Sequence, residues 1–90
     1  MDADRRKIVI FPTSKAEIIS QFKRNLPFPA YCSMNWDSFE ECLLDFLDEH
    51  GEGIEIFHEG GIQLPDDDKE IYLGILHDAM KSHMVIVSSS

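Results

Sequence analysis

Two rhythms of apolar residues alternate along the chain. Lys7 to Phe11 (KIVIF) is a short run dominated by apolar, β-branched residues and closed by Pro12, which predicts a central strand covered on both faces. Beyond it the period changes to that of a helix. Ser14 followed by Glu17 has the spacing of a capping box, Ile18, Ile19, Phe22 and Leu26 share one face, and Pro27 is a stop, so a helix is predicted to about Asn25. Residues 27–34 (PFPAYCSM) hold two prolines and no helical period and are predicted to be a loop. Its aromatics, Phe28 and Tyr31, must either pack down or meet a partner.

Asn35 can cap the next helix, which runs to about Glu49 and is broken by Gly51 and Gly53. Ile54, Ile56 and Phe57 sit in a partly alternating run, GIEIFHE, which predicts a strand with one face less deeply covered, at the sheet edge. Gly60 and Gly61 mark a turn, and Pro65 opens a third helix whose first turn, Asp66 to Asp68, sets negative charge at the positive end of the helix dipole. Ile71, Tyr72, Ile75, Leu76, Ala79 and Met80 form its apolar stripe, and Met84 to Val87 (MVIV) reads as a last buried strand. Strand, two helices, strand, helix, strand is the order of an α/β fold with a three-stranded parallel sheet and right-handed crossovers. The chain shows no repeat, no low-complexity tract and no linker between a polar start (Met1 to Asp4) and a serine tail (Ser88 to Ser90), so one domain spanning residues 1–90 is expected.

The second helix separates two kinds of side chain. At about 100° per residue, Phe39, Leu43, Phe46 and Leu47 define one arc, with Trp36 and Cys42 at its margins. Asp37, Glu41, Asp45 and Asp48 define the opposite arc, and Leu44 lies among them. A solvated surface would account for acids alone. Acids three and four apart repel, however, by about a few tenths of a kcal/mol per pair, and this helix contains no lysine or arginine to offset them. Only Asp37, near the N-terminus, gains from the helix dipole. Compensation is therefore expected from a partner.

Composition narrows that partner. Hydrophobic residues make up 43% of the chain and charged residues 28%, too apolar for a disordered segment. Ninety residues bury one modest core. Seventeen acidic against eight basic residues give a net charge of -9, which repels phosphate backbones and anionic membranes and favours a protein with a basic surface. Direct nucleic-acid binding and membrane binding are not expected. With no signal-like segment at the start and no long apolar run, a cytoplasmic location is expected, with Cys32 and Cys42 as reduced thiols and Cys42 as a core residue.

The stretch from Leu26 to Leu43, LPFPAYCSMNWDSFEECL, resembles the barstar family at Pro29, Tyr31, Asn35, Trp36, Asp37, Glu41, Cys42 and Leu43 with spacing kept. The resemblance implies a three-stranded parallel sheet packed with three to four helices. It also implies a function: an intracellular inhibitor whose loop and following helix plug the active site of a ribonuclease, their carboxylates standing where substrate phosphates would sit. Carried over by position, Tyr31, Asn35, Asp37 and Glu41 are implied contacts, with Glu41 as the main phosphate mimic and Asp78 on the third helix as a further acidic contact. Glu40, Leu44 and Asp45, on the same helix, complete the expected partner surface. The chain departs from the family pattern in having Cys32 for a second tyrosine, Ser33 for glycine, Glu40 for an interface tryptophan and a main acid one methylene longer. Those differences imply a target with a wider or more basic cleft.

Other chemistries fit less well. Asp37 and Glu41 share an exposed helix face, poor ground for raising a carboxyl pKa, and no nucleophile is spaced with a base, so an enzyme is not expected. No HxxxH, HExxH or paired CxxC spacing points to a metal, Asp66 to Asp68 lack the glycine of a calcium loop, and no cofactor is implied. The competing function is a non-inhibitory acidic adaptor that uses the same face on a different basic protein. In either case the free chain is expected to be a monomer.

Overall fold

The computed structural model describes residues 6–51 and 53–89. In chain order they form β1 (Arg6–Ile10), α1 (Lys15–Asn25), α2 (Trp36–Glu49), β2 (Ile54–His58), α3 (Asp66–Ser82) and β3 (Val85–Ser89). All strand pairs are parallel, in the order β1-β2-β3. The α/β class and the three-stranded parallel sheet agree with the sequence, with three helices among the described residues. Met1 to Asp4 and Ser90 lie outside those residues.

Strand placement differs from the expectation. β2 is central and β1 is an edge, the reverse of what their apolar content implies. A sheet that steps from β1 to β2 to β3 through right-handed crossovers puts every connecting helix on one face, and burial follows that rule. Ile8, Ile10, Ile54, Ile56 and Val85 point inward and are buried, whereas Val9, Phe11 and Ile86 on the other face are substantially exposed. β1 is thus covered on one side only. The last strand starts one residue later than expected, leaves Met84 exposed, and takes in Ser88 and Ser89, which pair with Phe57 and His58. A run of apolar residues reports strand propensity, but the order of pairing decides which faces are covered.

Helix ends follow the sequence closely. The Ser14 hydroxyl accepts the Glu17 N–H at 3.2 Å, and the Leu26 N–H closes α1 on the Phe22 carbonyl. On α3, Tyr72, Ile75, Leu76 and Ala79 are buried, while Ile71 and Met80 at the stripe's margins are exposed. Two buried polar residues tie the layers. Gln21 accepts the Phe11 N–H at 2.7 Å and donates to the Phe11 carbonyl at 2.9 Å, satisfying both backbone groups just past edge strand β1. His58 Nε2 and the Tyr72 hydroxyl share a 2.7 Å hydrogen bond between β2 and α3. Burial lowers the His58 pKa from its ordinary value of 6.5 and raises that of the Tyr72 phenol.

Two predictions follow from these joints. Gly53 adopts φ of +82°, and a side chain there would overlap the Met84 carbonyl and Cβ, where β3 begins. Gly53→Ala is expected to destabilise the fold by about 2 kcal/mol or more, from left-handed strain with a backbone clash, readable as a lowered urea midpoint. His58 is a base whose folded pKa lies below its unfolded one, so the unfolded state binds the proton first. Its contribution is intact above about pH 6.5 and is lost as pH falls toward the folded pKa. Thermal melts of the wild type should therefore lose stability below that pH more steeply than those of His58→Gln. Parallel profiles would show that this histidine does not set the acid limit.

Candidate partner-binding face

The candidate site is built on α2, which is held from several sides. The Phe39 ring lies 4.8 Å from Phe22 of α1, 5.9 Å from Trp36, 6.3 Å from Tyr72 of α3 and 6.3 Å from Phe28 of the loop, centroid to centroid. Trp36 Nε1 donates to Asp68 Oδ1 at 3.1 Å, so one α3 acid expected only to serve its own helix end also fixes the start of α2. Burial of Phe39, Leu43, Phe46 and Leu47 is worth roughly 1.5 to 3 kcal/mol per side chain. That outweighs the several acid–acid pairs of the opposite face at about 0.2 to 0.5 kcal/mol each. α2 can thus carry six acidic residues without a single lysine or arginine.

Asp37, Glu41 and Asp45 are all exposed, each four residues after the last along one helix side. Among the described residues, no lysine or arginine of the chain stands within ion-pair distance of any of the three. Asp48 differs: its Oδ1 lies 2.7 Å from Nε2 of His83, the residue that ends α3. The C-terminal end of the acidic arc is thereby joined to α3, while its N-terminal and middle parts stay open. Glu40 is half-buried beside this arc. Leu44 is half-buried against the core margin and presents only an edge outward, because its neighbours Leu43 and Leu47 belong to the core.

The other candidate residues are placed less uniformly. The Asn35 side-chain oxygen accepts the Ser38 N–H at 2.8 Å, as predicted for a cap, which leaves its amide hydrogens available to a partner. Asn35 and Asp37 line a shallow depression of about 650 Å³ with Lys15, Trp36, Ser38 and Ile71. The loop separates its aromatics: Phe28 packs inward near Phe39 and Phe46, whereas Tyr31 is 73% exposed. Tyr31 lines a groove of about 340 Å³ together with Asp45, Phe46, Asp48 and Glu49 of α2. Tyr31 and the C-terminal acids of α2 therefore border a common groove, whereas Asp37 lines the separate depression at the helix start and Glu41 lines neither. Asp78 is exposed on α3, and among the described residues no hydrogen bond or ion pair joins its carboxylate to α2.

Both thiols lie beneath this region. Cys32 and Cys42 are free and buried, and the Cys32 Sγ donates to the Ser38 carbonyl at 3.7 Å. The Cys42 thiol is pushed up to about 12, first by burial, then by its hydrogen bond to Cys32 and by the charges of Cys32, Asp45 and Glu41. It remains protonated at neutral pH, as a core thiol should. Sequence reasoning did not find Lys23, whose ammonium donates to the Cys32 carbonyl at 3.0 Å. A lone lysine in the last turn of a helix gives no signal of a partner on a loop. Among the described residues, no group of three or more His, Cys, Asp or Glu side chains is placed to hold a metal ion, and no helix is long and apolar enough to cross a membrane.

Comparison with known proteins bears on the whole fold. No curated protein matches the chain. A family model does: the one described as barstar, the barnase inhibitor, matches residues 9–84, from within β1 to the residue before β3, and so takes in the loop and the acidic helix. The Asn-Trp-Asp start of α2, the sheet of three parallel strands and this match agree, and the chain belongs to the barstar family.

Proposed function

We propose that the protein is a cytoplasmic inhibitor, monomeric when free, that covers the basic active site of a ribonuclease or related toxin with the α2 acid face and the loop before it. The observation that carries this reading is the row Asp37, Glu41 and Asp45, exposed on a rigid helix with no counter-charge from the described lysines and arginines. A ribonuclease holds its substrate's phosphates with cationic side chains, and a row of fixed carboxylates offers those side chains the same charge. Glu41 is central in that row. Tyr31 adds an aromatic contact at one side, Asn35 offers its amide hydrogens at the helix start, and Glu40, Leu44 and Asp78 lie at the periphery.

The energetics favour a partner of this kind. A carboxylate row that is already rigid loses little conformational freedom on binding, and the net charge of -9 steers a cationic protein toward the chain. This family's best-studied complex is the standard example of such steering. Added salt should therefore slow association far more than it speeds dissociation.

The test is capture on the immobilised protein from an extract of the source organism, followed by RNA-cleavage assays of the retained protein with and without free inhibitor. Cleavage should be lost at stoichiometric addition. Glu41→Lys should weaken capture by about a hundredfold or more, since like charge across an interface costs several kcal/mol, and should leave the melting temperature close to that of the wild type. Undiminished capture by Glu41→Lys would show that the wrong face is assigned. Retention without loss of cleavage would identify an adaptor instead.

A further inference from the structure

The loop that carries Tyr31 is short, holds two prolines, and precedes α2 without secondary structure of its own. It is nevertheless fixed at separate points. The Cys32 N–H donates to the Pro29 carbonyl at 3.1 Å, closing a β-turn in which Tyr31 is the third residue. The half-buried Phe28 ring packs against the core just before that turn. At the other end Cys32 is only 3% exposed, its thiol against Ser38 and Cys42 of α2. Its carbonyl, with the amide spent in the turn, points to α1, where the half-buried Lys23 ammonium takes it at 3.0 Å. Phe28 before the turn and Cys32 at its end are therefore turned inward, and Tyr31 between them is left outward at 73% exposure.

Lys23 is also notable for what it does not do. It sits in the last turn of α1, where a cation would serve the helix's own carbonyl end. Among the described residues it forms no ion pair with a carboxylate. In a chain with more than twice as many acids as bases, this cation is spent on one loop carbonyl.

We propose that Lys23 is a positioning residue for the partner-binding surface: by holding the Cys32 carbonyl it keeps the Tyr31 turn in its binding geometry before a partner arrives. The claim rests on the reading of Tyr31 and α2 as a joint face, and it adds the device that fixes one to the other. Without the ammonium, the Cys32 carbonyl is left part-buried and unpaired. The turn then gains by opening toward water, which uncovers both thiols and lets Tyr31 sample other positions. The ordering cost then falls on the binding step, and association slows.

The experiment compares the wild type with Lys23→Met, which keeps the stem and removes the donor, and with Lys23→Arg, which restores a donor. The first readout needs no partner: the rate at which a disulfide reagent such as dithiobis(nitrobenzoate) modifies Cys32 and Cys42 in the native protein, with amide exchange at Tyr31 and Cys32. Lys23→Met should raise these rates about tenfold while the core amides of α2 and the melting temperature stay near wild-type values, and Lys23→Arg should reverse most of the gain. Unchanged labelling in Lys23→Met, or faster labelling only in step with a global loss of stability, overturns the proposal. The second readout is the association rate with purified barnase as the probe, expected to fall several-fold in Lys23→Met with a smaller change in dissociation. If barnase fails to bind the wild type, the target is another ribonuclease or toxin, in line with the wider or more basic cleft expected from the sequence, and the labelling result alone decides whether Lys23 holds the turn.

Discussion

The Phe39 ring and the aromatic cluster around it are the contact on which the rest of the molecule turns. Phe22, Phe28, Trp36 and Tyr72 reach it from α1, the loop, the start of α2 and α3, so one side chain gathers every element on the covered side of the sheet. An isolated helix with six acids and no lysine or arginine would be a poor helix. Here its formation is forced by the face it buries, and the acids are carried along as a consequence. Rigidity of the acid row and solidity of the core are then the same property, viewed from two sides of α2.

This coupling explains how a small chain can present a charged surface without collapsing onto its own counter-ions. Of the cations near the site, Lys23 is engaged with a backbone carbonyl. Arg6 donates to the Asn25 carbonyl at 3.3 Å and lies over the Phe46 ring at 5.9 Å. Lys15 shares a depression with Asp37 but does not come within ion-pair distance of it. These three bases act on backbone, on a ring or at a distance, and the carboxylates are left to solvent. Among the described residues, His83 alone answers one of them, Asp48, at the end of the arc furthest from Asp37. Among the described residues, the charge of the Asp37, Glu41 and Asp45 row is left without an internal counter-ion by where these bases are anchored.

Much of this was legible in the chain. The helices could be placed because their signals are local: Ser14 with Glu17, Asn35 as a cap, Pro27 as a stop, and an apolar arc on α2 that the structure buries residue for residue. The division of α2 into a core side and an acid side was also readable, since it depends only on helical period. The order of strands was not, because KIVIF and GIEIFHE carry propensity without naming a neighbour, and the central and edge positions came out reversed. Nor could the sequence tell which loop aromatic packs inward, that Cys32 would be buried while Tyr31 faces water, or that Lys23, Gln21 and the His58–Tyr72 pair bridge separate elements. Each of these is a contact between residues distant in the chain, fixed by packing and not by any local pattern. Leu44 shows the same limit on a finer scale, its wheel position within the acid arc giving way to half-burial beside Leu43 and Leu47.

The central claim is that carboxylates on α2 occupy the place of substrate phosphates. The most direct measurement is competition: binding of the protein to its captured ribonuclease, titrated with a mononucleotide carrying a terminal phosphate that occupies the enzyme's substrate site. The account predicts mutual exclusion, with the apparent dissociation constant rising linearly with nucleotide concentration and without a plateau. Simultaneous binding of both, with neither affecting the other, would contradict it.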